Sequence, residues 1–342
     1  MSDSSQPRFI TIKEDDDGQR LDRWLKKNVP ELSYVLAQKL LRKGQIRIDG
    51  KRAKPDTRLQ MGQEVKIPPS AFKVVKGTFS KPQKPEITSQ DRAFMHSLVL
   101  YQDEDVIALN KPYDIAVQGG TKTKRHIDGL LEVFADKDGV KPRLVHRLDK
   151  DTSGVLLLAR SAKVARALGQ SFKNHDIRKI YWAVVSPTPE SIEGTIKAPI
   201  IKSEGDFERM EINDEDGKYA VSEYAVIENA GSEAAFVAFW PRTGRTHQIR
   251  VHAADALGCG IIGDRKYKTV KDEESKRIDA DLAGMDIAKR LHLHARRLIL
   301  PHPVNPKQII DVTAPLPADL IKSWKAFGFN HKYKQDPFEA LD

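Results

Sequence analysis

Residues 220–240 read AVSEYAVIENAGSEAAFVAFW and hold two extended segments, 220–228 and 235–240, that follow each other with no helix between them. Parallel neighbours need a helical crossover, so strands in direct succession point to antiparallel pairing. Upstream, strands and helices alternate. Residues 98–109 read as extended pieces, 127–134 as a helix and 154–160 as a buried strand. Ser161 can cap a helix that carries Val164, Ala165, Leu168 and Phe172, and residues 179–186 form the next strand. The pattern predicts an α+β domain with a mixed, largely antiparallel sheet rather than a doubly wound one. No internal repeat is visible.

A length of 342 residues suits two domains, because single cores stop growing at around 250 residues. With 39% hydrophobic and 31% charged residues the composition is globular, and no apolar run approaches the roughly 20 residues of a membrane helix. Cys259 is the single cysteine, which excludes an intrachain disulfide and a zinc site built on several thiolates. Residues 1–17 lack the pattern of a targeting signal and read as a disordered tail, so the cytoplasm is the expected compartment.

Net charge is +9, and residues 18–70 hold 13 Lys/Arg against 5 Asp/Glu. Such a local excess suits a polyanionic partner or a solvated basic surface. Leu21, Trp24 and Leu25 fall at helical spacing, and Ser33 can cap a second helix with Leu36, Leu40 and Leu41 on one face before Gly44 ends it. Ile46 and Ile48 then alternate with polar residues, Asp49-Gly50 supplies a hairpin turn, and residues 65–67 are extended. Lys39, Arg42, Lys43 and Arg47 lie opposite the apolar stripe. The pattern over residues 32–67 resembles the S4 RNA-binding domain, which implies contact with structured RNA through shape and phosphate charge. Ser33-Tyr34 stands where that family often has Ser-Arg. Residues 71–92, rich in Lys, Pro, Ser and Thr, read as a linker, residues 93–330 as the larger domain and 331–342 as a tail.

Three further segments concentrate reactive side chains. His146-Arg147-Leu148-Asp149-Lys150-Asp151-Thr152-Ser153-Gly154 places Asp149 in the loop entering a buried strand, a position that suits a catalytic group and, as readily, a carboxylate that caps a turn. Thr243-Gly244-Arg245-Thr246-His247-Gln248-Ile249-Arg250-Val251-His252 is either a polar helix start satisfied by its own side chains or the source of an Arg that holds Asp149 ionised and oriented. In Arg178-Lys179-Ile180-Tyr181-Trp182-Ala183, alternation puts Lys179, Tyr181 and Ala183 on one strand face, where a lone Tyr serves packing as readily as catalysis.

Together these segments resemble the RluA-type pseudouridine synthases over residues 98–316, and the domain order with Val117-Gln118-Gly119-Gly120 is most similar to the RluC branch. Asn110-Lys111-Pro112 and Leu293-His294-Ala295 are further matches. The resemblance implies that Asp149 is catalytic, as nucleophile or base, that Tyr181 contacts the target base and that Arg245 pairs with Asp149. It implies that Arg147 helps displace the target nucleotide, and that the partner is large-subunit ribosomal RNA or its precursor. Lys39, Arg42, Lys43 and Arg47 are the expected RNA contacts of the S4 domain. The isomerisation neither gains nor loses atoms, so no cofactor or metal is expected, in keeping with the lack of a GxxxxGK[ST] phosphate loop. A monomer is expected. Two rival readings stay open: a metal-dependent nuclease or hydrolase using His247, His252, His292 and His294, and a non-catalytic RNA-binding or ribosome-assembly protein. The charged stretch 264–290 reads as a surface insertion.

Overall fold

A computed structural model of the chain describes residues 6–72, 87–119, 125–174, 176–205, 209–267 and 284–341. The chain divides into two units, Met1–Glu86 and Ile87–Asp342. The smaller unit begins with strand β1 (Arg8–Thr11) and two helices, α1 (Leu21–Asn28) and α2 (Tyr34–Arg42). Leu21, Trp24 and Leu25 share one face of α1 and are buried. The Ser33 side chain accepts from the Leu36 amide at 3.3 Å and caps α2. Strands β2 (Arg47–Ile48), β3 (Lys51–Arg52) and β4 (Glu64–Ile67) complete an antiparallel sheet in the order β1-β4-β2-β3. Asp49 and Gly50 take φ values of 47° and 73°, as a two-residue hairpin with both central residues left-handed requires.

The expected 1–17 tail is corrected here. Arg8–Thr11 pairs along β4, Ile12 is buried, and the Asp16 carboxylate accepts from the Trp24 indole at 3.1 Å and from Lys27 at 2.8 Å. Of the expected linker, residues 73–86 lie outside the described residues. Ala71 is buried in the smaller unit, while Thr88 and Asp91 form a capping box that starts helix α3 (Ser89–Ser97).

The larger unit is built on one sheet. Its first strands are β5 (Val99–Gln102), β6 (Val106–Lys111), β7 (Arg143–Leu144), β8 (Ser153–Ala159) and β9 (Arg178–Ser186). Helix α4 (Ile127–Leu130), which continues as a tighter turn to Phe134, precedes β7, and α5 (Ala162–Asn174) joins β8 to β9. Then follow β10 (Glu193–Lys197), the small pair β11 (Ile200–Lys202) and β12 (Met210–Ile212), β13 (Val221–Ala230) and β14 (Ala234–Pro241). The short helix α6 (Gln248–Val251), β15 (Gly260–Ile261), β16 (Leu293–Pro301), β17 (Ile309–Thr313) and helix α7 (Ala318–Ala326) complete the described elements. The order β10-β13-β14-β9-β16-β8-β6-β5 runs antiparallel except at β16 and β8. As residues 220–240 suggest, β13 and β14 are direct antiparallel neighbours.

Alternation along β9 divides the core. Ile180, Trp182 and Val184 pack with Phe236 and Trp324 on one face, and Ala183 and Val185 with Val237, Phe239 and Ile249 on the other. All seven residues of β8 are buried, since α5 covers one face and the 127–134 region the other. At the parallel seam, Gly154 has φ +117° and an added Cβ would run into the Ala295 carbonyl, so glycine is needed where the motif loop joins β16. The expected 331–342 tail is also corrected. Phe338 is buried against Trp240, and Asp336 accepts from Arg178 at 2.7 Å. No helix among the described residues is long and apolar enough to cross a membrane.

Candidate active site

Asp149 sits in the loop before β8, between buried Leu148 and a turn in which the Thr152 amide donates to the Asp149 carbonyl at 3.1 Å. The loop is tethered from below. Lys111, at the end of β6 and fully buried, donates to the carbonyls of Pro112, Ile115 and Lys150 at 2.8, 2.9 and 3.2 Å. Burial pulls the Lys111 amine down to about 7, against the opposing pull of Asp149 and Asp151. The Asp149 side chain retains 21% exposure, and among the described residues its carboxylate accepts no short hydrogen bond.

The cations nearest to it are Arg250, with NH1 3.8 Å from Oδ2, and His247, with Nε2 at the same distance. Arg250 is buried, and its other contacts are bidentate, Nε and NH2 donating to Asp264 at 2.6 and 2.7 Å. Asp264 thereby fixes the guanidinium with one nitrogen turned toward Asp149. His247 is the N-cap of α6 at a left-handed φ of 54°, and it and Arg250 within the helix both approach Asp149 Oδ2. Its Nδ1 lies 2.8 Å from the Tyr267 hydroxyl, whose oxygen accepts from the Met210 amide. If the Tyr267 hydroxyl donates to Nδ1, the ring proton of a neutral His247 sits on Nε2, facing Asp149. Burial lowers the His247 pKa, Asp149 opposing and Arg250 adding to the shift.

Arg245, the expected partner of Asp149, is corrected to a different place. It is exposed, donates from Nε to the Tyr219 carbonyl at 3.0 Å, and makes no ion pair with Asp149. It precedes α6 and follows the rim, whereas Arg250 is carried inward by the helix. Part of the segment does satisfy itself. Gln248 accepts from the Thr243 hydroxyl and the Arg245 amide while donating to the Val221 carbonyl and the Ser222 hydroxyl. The stretch 264–290 also needs correction at its ends, since Asp264, Tyr267 and Arg290 are buried, Arg290 paired with Asp319. Its middle, residues 268–283, lies outside the described residues.

A cavity of about 540 Å³ opens beside these groups, with Asp149, Tyr181, His247 and Arg250 in its wall and Arg147 and Arg245 exposed at its mouth. Tyr181 is half-buried, and burial pushes its phenol far up, with the Asp149 charge adding. It is therefore a neutral ring across the ordinary pH range. Lys179 lines the same wall two residues earlier on β9. In the smaller unit Lys39, Arg42, Lys43 and Arg47 are all exposed, although Arg47 spends donors on the Gly44 and Gly50 carbonyls. The four histidines of the metal reading do not converge. His252 bonds Ser222 and Ala198, His292 bonds Ser323 and two backbone carbonyls, and His294 bonds Ser153 and Ala314.

A family model described as RNA pseudouridylate synthase matches residues 105–255, and the S4 domain model matches residues 19–65. A protein of Rickettsia bellii named ribosomal large subunit pseudouridine synthase C is 34% identical over 87% of this chain and 95% of its own length. The chain belongs to the RNA pseudouridylate synthase family. The synthase is also similar to the like-named protein of Vibrio cholerae, at 33% identity over 92% of the chain and 95% of that protein. Among solved structures, human RNA pseudouridylate synthase domain containing 4 superposes with a TM-score of 0.56 at 28% identity, covering 70% of the synthase and 97% of that chain. The family resemblance drawn from the motifs is thus borne out, and so is the α+β fold with an S4 domain. Sequence reading does not assign Arg250, Asp264 or Lys111 a role in the synthase, and takes His247 only as a possible metal ligand. The signal available for Arg250 is its place in the same Gly-Arg-Thr-His-Gln-Ile-Arg segment, whose second Arg falls on the short helix α6.

Proposed function

We propose that this synthase converts uridines of large-subunit ribosomal RNA to pseudouridine, with Asp149 as the reacting carboxylate, nucleophile or base. The observation that carries the reading is Asp149 itself, in the wall of a nucleotide-sized cavity, held by Arg250 at 3.8 Å and left without short hydrogen bonds. A carboxylate bound by short contacts would have its lone pairs occupied. One held by the field of a fixed guanidinium stays charged and keeps them for the substrate. The names of the relatives support the choice of RNA.

The reaction breaks the bond between N1 of uracil and C1′ of ribose and joins C5 to C1′. The hydrogen of C5 leaves and N1 gains one, so no outside reactant is consumed. A base within folded RNA must first leave its stack, and Arg147, exposed at the mouth, is suited to fill the vacated space or hold the phosphate. The Tyr181 ring provides the surface on which the extruded base rests, and Arg250 and His247 keep Asp149 oriented during the exchange. On the S4 domain, Lys39, Arg42, Lys43 and Arg47 contact RNA phosphates.

The test uses large-subunit ribosomal RNA labelled with tritium at C5 of uridine. Asp149→Asn is expected to lower tritium release by on the order of 10³-fold or more while RNA affinity stays within a few-fold. Retained turnover in that variant would remove Asp149 from the chemistry.

A further inference from the structure

Lys179 and Tyr181 alternate on one face of β9, roughly 7 Å apart along the strand, and both line the cavity. Other buried cations of this unit have partners: Arg250 has Asp264, Arg290 has Asp319, and Lys111 has three carbonyls. Lys179 is half-buried, yet among the described residues its amine makes no hydrogen bond and no carboxylate oxygen lies within 4 Å of it. The groups around its end of the cavity offer no anion. His146 accepts from the Leu157 amide at 2.8 Å and is kept neutral, at about 3, by burial and by Lys179 itself. Phe172 and Lys173 come from α5, and Tyr181 from the same strand. The lining also holds Arg147, Arg245, His247 and Arg250, and among the described residues Asp149 is its one carboxylate, already facing Arg250 and His247.

We propose that the Lys179 end of the cavity is a phosphate subsite, in which the ammonium binds a phosphodiester oxygen flanking the uridine whose base rests on Tyr181. The inference rests on the function proposed above and assigns the part of the cavity which that reading leaves unused. A volume of about 540 Å³ holds more than a base. The base and phosphate of one nucleotide span a length comparable to the Lys179–Tyr181 separation. A desolvated cation with no counterion is costly, and a phosphate supplies the missing partner.

A pH dependence follows. Burial pulls the free Lys179 ammonium down to about 8. A bound phosphate raises it again, so its contribution to affinity is full below about pH 8 and is lost as pH climbs toward the raised value of the complex.

The test uses the full chain carrying Asp149→Asn, with Lys, Met or Arg at position 179. The RNA is an oligoribonucleotide centred on a uridine that the unaltered synthase converts, with natural phosphodiesters or one neutral methylphosphonate 5′ or 3′ of that uridine. With Lys179 present, the methylphosphonate on one side should weaken binding on the order of tenfold, and in Lys179→Met by less than about twofold. Affinity should fall between about pH 7.5 and 9.5 with Lys179, and stay level in Lys179→Met and Lys179→Arg. Lys179→Arg should keep the methylphosphonate penalty, which serves if the Met variant does not fold. Equal penalties with and without the charge would overturn the subsite while leaving pseudouridine formation by the unaltered chain intact. Failure of the unaltered chain to convert any uridine would instead remove the function on which the subsite rests.

Discussion

Arg250 in the larger unit is 3% exposed with two nitrogens on Asp264, while Lys39, Arg42 and Lys43 in the smaller unit stand in solvent without ion pairs among the described residues. The same kind of charge does two kinds of work. A buried guanidinium held bidentate by Asp264 has one orientation and sets a fixed charge 3.8 Å from Asp149. Exposed cationic side chains are screened and mobile, so on the function proposed above they would gather RNA without setting its geometry. Substitutions at the buried network should therefore register in stability and rate, and those on the S4 face in affinity and salt dependence.

The largest effect on stability is expected at Asp264. Asp264→Ala leaves Arg250 buried without its partner and should cost about 3–5 kcal/mol, read by chemical denaturation. A loss below about 1 kcal/mol would mean that the pair is solvated and cannot orient Asp149. Next is Lys111→Met, which strips a donor from three carbonyls and should cost about 1–3 kcal/mol. Its pH signature has a definite sign. The folded amine lies at about 7 against an ordinary 10.5, so between these values the unfolded chain holds the extra proton. Lys111 should make stability rise with pH across that window by at most about 1.4 kcal/mol per unit, and the Met variant should rise less steeply by that share, keeping above about pH 8 only the part due to the similarly lowered Lys179. Parallel pH curves for the two proteins would contradict the buried amine.

Smaller effects belong to the S4 domain. Replacing Lys39, Arg42 and Lys43 together by Ala should weaken RNA binding about tenfold and flatten the log–log salt slope by roughly 2 to 3, with turnover at saturating RNA nearly unchanged. An unchanged slope would make this face a solvated surface only. Arg47→Ala alone should change affinity by less than about threefold, because two carbonyls already occupy its donors.

Much of the fold is written in local pattern. Ser33 and Ser161 cap the helices they precede, Asp49-Gly50 turns its hairpin, and residues 220–240 contain an antiparallel pair. What local pattern does not carry is pairing between distant residues. β1 is four residues long, and its partner β4 lies more than fifty residues away, so nothing near Arg8 announces a strand. The ends of the larger domain are hidden for the same reason, since Phe338 is held by Trp240 and Asp336 by Arg178. At the site, Asp149 and Tyr181 were named from their motifs and line one cavity. The resemblance points to Arg245 as the partner of Asp149, but α6 starts after it, so the helix carries Arg250 inward while Arg245 stays on the rim. Neither the unpaired amine of Lys179 among the described residues nor the contact of Asp264 with Arg250 has any sequence signature.

The most direct test compares single-turnover pseudouridine formation by Arg250→Gln and Arg245→Gln at saturating RNA. If Arg250 orients the reacting carboxylate, Arg250→Gln should slow the step by on the order of 100-fold or more, and Arg245→Gln by only a few-fold. The opposite ranking, with Arg245→Gln crippled and Arg250→Gln nearly intact, would contradict an Asp149 held from within by the Arg250–Asp264 pair.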